Sequence, residues 1–102
     1  MMAKGYWIGR VDVIDSDGYN EYAQSAAIAF RKYGAHFIVR GGKFEVAQGG
    51  SRGRNVVIEF PSYQAAHDCW HSPEYKRASP LLMQATQADI IIIEGYDGPQ
   101  PS

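Results

Sequence analysis

The run Asn55-Val56-Val57-Ile58-Glu59-Phe60-Pro61-Ser62 constrains the fold more than any other stretch. Its β-branched residues favour an extended backbone, and Pro61 ends the strand because it offers no N–H to a ladder. Ser62 then stands where a helix N-cap belongs. In a strand, Val56, Ile58 and Phe60 point to one face while Asn55, Val57 and Glu59 point to the other. One face is wholly apolar. The second is apolar with a charge in it, and that charge needs water or a partner.

Other segments repeat the pattern. Gly5–Ile14 alternates, with Trp7, Gly9, Val11 and Val13 on one face and Tyr6, Ile8, Arg10, Asp12 and Ile14 on the other. Asp15 is placed to cap a helix over Ser16–Tyr33, whose stripe is Tyr19, Tyr22, Ala23, Ala26, Phe30 and Tyr33. Lys32 suits the C-terminal end of the helix dipole and Gly34 the position just beyond it. Ala35–Arg40 again alternates, Phe37 and Val39 against His36, Ile38 and Arg40. With Gly41-Gly42 as a bend, one long strand continues through Lys43–Ala47 and turns at Gly49–Arg54. Lys43–Gln48 is then expected to pair with Asn55–Phe60, leaving Ala35–Arg40 for another partner such as a second subunit.

Beyond Ser62, Tyr63, Ala66, His67 and Trp70 form a short helical stripe, and Ser72-Pro73-Glu74 restarts a helix with cap, first-turn proline and carboxylate. Pro80 makes Leu81–Thr86 either a kinked continuation or a separate turn. Asp89–Gly95 reads as a buried strand and Asp97–Ser102 as a loose tail.

Strand, long helix, strand pair, helical pair and strand together predict an α+β, ferredoxin-like βαββαβ unit with an antiparallel sheet in the order 4-1-3-2. Helices cover one face, expected to carry Trp7, Val11, Val13, Phe37, Val39, Val56, Ile58, Phe60, Ile91 and Ile93. The opposite face is expected to carry Tyr6, Ile8, Arg10, His36, Ile38, Arg40, Val57, Glu59, Ile90, Ile92 and Glu94. Burying five or six such apolar side chains at roughly 2 kcal/mol each favours association, so a homodimer through this open sheet face is expected.

Composition narrows the classes. A chain of 102 residues is one domain, here 1–96 with a tail over 97–102. The net charge of −1 gives no footprint for nucleic acid. No apolar run approaches about 18 residues, which predicts no membrane span, and the start lacks a secretory apolar core. The single cysteine, Cys69, excludes an internal disulfide and fits a reducing, cytoplasmic setting.

Lys4-Gly5-Tyr6-Trp7-Ile8, Val39-Arg40-Gly41-Gly42, Val56–Ser62, Ser72-Pro73-Glu74-Tyr75 and Ile93-Glu94-Gly95 resemble, in order, the domain-of-unknown-function family 1330. The resemblance runs from about Lys4 to Gly95. It implies a dimeric α+β barrel, in a superfamily that also holds antibiotic-biosynthesis-type monooxygenases, and it brings no established activity. The histidine-rich helix end His67-Asp68-Cys69-Trp70-His71 departs from the simple pattern, and no role is carried over to it.

Candidate chemistry lies first on the open face. Arg10, Arg40, Glu59, Glu94 and His36 fit either a pocket with an anion-holding arginine and a proton-transfer group, or charge pairing across a dimer interface. Gly41-Gly42 leaves room beside Arg40. Tyr6, Trp7, Tyr22, Phe30 and Tyr33 fit an aromatic wall or, more simply, core. The ligand-binding candidates are therefore Arg40, Glu59, His36, Tyr6, Tyr22 and Arg10. His67 and His71 stand four apart without a third ligand, so no metal is expected. Gly49–Arg54 lacks the Gly-Lys-Ser/Thr ending of a phosphate loop, and no cofactor is expected. The resulting expectation is a small anionic or aromatic ligand, with cofactor-independent acid–base or oxygenase-like chemistry if any. The alternative is a non-catalytic dimeric binding or assembly module.

Overall fold

Among the described residues seven elements follow one another: β1 (Gly5–Val13), α1 (Ser16–Lys32), β2 (His36–Arg40), β3 (Arg54–Phe60), α2 (Tyr63–His71), α3 (Pro73–Ala85) and β4 (Thr86–Glu94). The computed structural model describes residues 3–101; Met1 and Met2, at the start of the expected domain, and Ser102, at the end of the expected tail, lie outside the described residues. The sheet is antiparallel in the order β2-β3-β1-β4, the predicted topology.

Local chemistry sets the boundaries. The Asp15 carboxylate accepts from the Gly18 N–H, Ser62 Oγ from the Ala65 N–H, and Ser72 Oγ from the Tyr75 N–H, so each helix begins at a capped donor. Ser72 also donates to the Cys69 carbonyl at 2.7 Å, closing α2 as it opens α3. Gly34, at φ 72°, ends α1 in the left-handed conformation that glycine adopts without penalty. Pro80 lies inside α3, which runs on to Ala85 as the continuation rather than the separate turn.

Trp7 is the centre of the core. It is 2% exposed, its indole N–H donates to the Ala66 carbonyl at 2.8 Å, and its ring meets those of Phe30, Phe60, Trp70 and Tyr75 at centroid distances of 4.9–5.4 Å. Tyr22 from α1 and Tyr75 from α3 share a buried hydrogen bond of 2.9 Å between their hydroxyls, which joins the two helices.

Three expectations about the sheet need correcting. Lys43–Ala47 is not a strand: β2 stops at Arg40, and β2 itself pairs with β3, so Ala35–Arg40 needs no second subunit. Gly41, at φ 67°, turns the chain out of the ladder after a last hydrogen bond from its N–H to the Asn55 carbonyl. In β4 the parity is reversed. Tyr6 pairs with Ile93 and Ile8 with Ile91, which puts Ile91 and Ile93 on the open face, while Ile90 and Ile92 pack towards the helices. Four consecutive isoleucines carry no alternation from which to read a face. In β2, Phe37 faces Ile58 but Val39 faces Val57 and Arg40 faces Val56; Ile38 is an extra residue, a β-bulge. The bulge exchanges the faces of Val39 and Arg40, so Arg40 stands on the helix side.

Two stability predictions follow from this packing. A Cβ at Gly5 would run into the backbone of Ser62 and Tyr63, so Gly5→Ala should cost about 1–3 kcal/mol in urea denaturation. Burial holds both phenols above the usual tyrosine range and pushes Tyr75 up to about 12. A raised folded-state value means that the pair's contribution is complete below the unfolded value of 10.0 and is lost as pH climbs from there through about 12. Tyr75→Phe, which strands the Tyr22 hydroxyl, should cost about 1–2 kcal/mol at neutral pH yet show a shallower alkaline loss of stability.

Candidate functional site

Helix α1 packs mainly against α3 and holds its backbone away from the sheet. The gap between them is a cavity of about 250 Å³. Small residues keep it open: Ala23 and Ala27 on α1, Ala35 before β2 and Gly9 on β1 all line it. A Cβ on Gly9 would meet nothing nearer than 3.6 Å, so this glycine leaves volume unfilled. Trp7, Tyr22, Phe30 and Phe37 supply aromatic walls, and Val56, Ile58, Leu82 and Ile90 complete the apolar lining.

Three arginines, Arg31, Arg40 and Arg54, also line it. The bulge at Ile38 brings Arg40 there, with its guanidinium 4.0 Å from the Phe37 ring centroid. Arg54 extends over Tyr19, 5.5 Å from that ring, and its Nε donates to the Tyr19 hydroxyl at 3.2 Å. Among the described residues no carboxylate lies within 4.0 Å of any of the three. Arg52 behaves differently: it bridges Asp12 at 2.8 Å and Asp89 at 2.9 Å and ties the loop before β3 to the sheet. The Gly53 N–H and then Arg52 hold the Asp12 carboxyl below its usual range.

The sequence-predicted candidates fall on two faces. Arg40 and Tyr22 line the cavity. Tyr6, Glu59 and His36 form one row across the open face, where Tyr6 pairs with Glu59 and Glu59 with His36. The Tyr6 hydroxyl donates to Glu59 Oε2 at 3.0 Å, and that bond raises the phenol above its ordinary value. Lys4 stands 3.9 Å from the same carboxylate. Arg10 is exposed on that face beside Asn55 and Asp89. The single pocket that united Arg40 with Glu59 and His36 is therefore two separate environments, because the bulge divides them.

Arg54 and Arg31 were missed. The sequence reading leaves Arg54 in the turn Gly49–Arg54, although it is two positions before Val56 and so shares its face once the strand starts at Arg54. That parity was the available signal. Cys69 is fully buried, and burial pushes its thiol up to about 12. Among the described residues no group of three His, Cys, Asp or Glu is placed to hold a metal. No helix of the described residues is long and apolar enough to cross a membrane.

Comparison with solved structures places this geometry among known folds. A protein of unknown function from Rhodopseudomonas palustris superposes with a TM-score of 0.73 at 15% identity, covering 96% of this chain and 86% of that one. A hypothetical Arabidopsis thaliana protein gives a TM-score of 0.66 at 10% identity over 100% and 93%. SnoaB, a cofactor-independent oxygenase from Streptomyces nogalater, gives 0.62 at 11% identity over 97% and 96%. Identities this low show a shared fold. No curated protein matches the chain. The model of the domain of unknown function DUF1330 matches residues 4–96, and the chain belongs to that family.

Proposed function

We propose that this protein is a homodimeric small-molecule-binding α+β barrel whose ligand occupies the cavity between α1 and the sheet. The observation that carries the reading is the cavity itself, apolar within and edged by arginines that have no carboxylate partner among the described residues. Guanidiniums at the mouth of an apolar cavity, without a carboxylate partner, favour a bound anion there.

The uncovered sheet face supports the dimer. Ile8, Ile38, Val39, Val57, Ile91 and Ile93 all lie on it or at its bulge, with Ile91 at 53% and Ile93 at 43% exposure. An apolar face of that size favours self-association after the entropic cost is met. On such an interface the Tyr6–Glu59 hydrogen bond and His36 act as polar pairing groups rather than as a catalytic set.

Among the described residues that line the cavity there is no Asp, Glu, His, Lys or Cys. Tyr22, whose pKa burial raises, offers no base near neutral pH. This favours binding over acid–base catalysis. An activity of the cofactor-independent oxygenase kind, as described for SnoaB, would need a ligand that ionises without help from a protein base.

Sedimentation at micromolar concentration should show a species of twice 11.3 kDa. Ile8→Glu should weaken that dimer at least about tenfold by burying an unpaired charge. Arg40→Ala, which alters the other face, should remain dimeric. In a thermal-shift screen of metabolites, a hit on the wild type should lose its effect in Ala27→Leu, which fills the cavity. A folded 11.3 kDa monomer at that concentration overturns the dimer; a hit untouched by Ala27→Leu overturns the cavity as its site.

A further inference from the structure

Resting on that cavity reading, we infer that the ligand is an aromatic monocarboxylate of one or two fused rings, ring system inward and carboxylate between Arg40 and Arg54. Size comes first. A cavity of roughly 150 Å³ holds one benzene ring, and the space here is about 250 Å³. That accommodates two fused rings, or one ring with a short substituent. Trp7, Tyr22, Phe30 and Phe37 make much of the lining aromatic, and a flat ring packs against such a lining better than a flexible chain.

The charge of the ligand follows from what lines the cavity. Three arginines and, among the described residues, no acidic side chain in the lining disfavour a cation and favour an anion. Arg40 and Arg54 project from adjacent strands on one face, because Arg40 pairs with Val56 and Arg54 lies two residues along from it. The Arg40 guanidinium sits 4.0 Å from the Phe37 ring centroid, and Arg54 is held by its Nε bond to the Tyr19 hydroxyl, so both are anchored within the site. Arg54 spends Nε on Tyr19 and keeps its terminal N–H groups. A planar, two-oxygen acceptor complements guanidinium N–H groups. A tetrahedral phosphate would instead draw on backbone N–H groups at a helix start. None of the first three residues of any helix lines the cavity, and the start of α1 is occupied by Asp15 and Asp17. Gly41 keeps the arrangement open: it packs against the Arg54 guanidinium, where a side chain would displace it.

Isothermal titration of the wild-type protein with 2-naphthoate, 2-naphthylmethanol and 2-naphthyl phosphate tests this. The carboxylate should bind about tenfold or more tightly than the alcohol, the difference expected of a charge-assisted contact. An R40Q/R54Q double variant should bring the carboxylate down to the affinity of the alcohol while leaving the alcohol within about twofold. Equal binding of alcohol and carboxylate, tighter binding of the phosphate, or a double variant that still prefers the carboxylate overturns the inferred ligand class and leaves the cavity reading standing. Failure of all three naphthyl probes to bind likewise overturns the inferred ligand class, while the Ala27→Leu comparison decides the cavity reading separately.

Discussion

One extra residue in a β ladder decides which side of the sheet carries the charge that matters. Without Ile38 as a bulge, strict alternation would send Arg40 to the open face beside His36 and Glu59. With it, Arg40 faces Val56 and stacks on Phe37 on the helix side. Because side chains in a strand repeat with period two, a single inserted residue reverses every face assignment after it. The strand ends within two residues of the bulge, and Gly41 turns the chain away, so the reversal affects only Val39 and Arg40. Val39 moves to the face proposed for dimerisation as Arg40 leaves it. Both moves match the chemistry of the surfaces they reach.

The cavity has a second physical cause. Tight packing around Trp7, with four aromatic neighbours and a satisfied indole N–H, fixes how α2 and α3 sit on the sheet. Helix α1 is bonded to α3 through Tyr22 and Tyr75, and Ala23 and Ala27 are among the residues it turns to the cavity. Stability and opening therefore come from different parts of one fold. The aromatic cluster supplies the first, and the small lining residues Gly9, Ala23, Ala27 and Ala35 supply the second.

Much of this was legible in the sequence. Capping residues Asp15, Ser62 and Ser72, the helix end at Gly34 and the Asn55–Phe60 strand gave element order and topology, because each is a local signal with a local cause. Tyr22 and Arg40, two of the ligand candidates, line the cavity, but Arg40 does so from the face opposite to the one expected. What was not legible involved parity. The isoleucine run of β4 has no polar residue within it to mark a face, and the bulge in β2 leaves no trace in residue types. The alternation of Lys43–Ala47 looked like a strand, yet the segment finds no ladder, since Gly41 directs it outward and the space beside β3 is already taken by β2. Face and pairing are tertiary properties, and alternation alone cannot supply them.

The account rests on where the Arg40 side chain lies, and nuclear Overhauser spectroscopy on the isotope-labelled protein reads this directly. Contacts from the Arg40 δ-protons to the Phe37 ring and the Val56 methyls are predicted. Contacts to Val57, Glu59 and His36 in their place would put Arg40 on the open face and contradict the account.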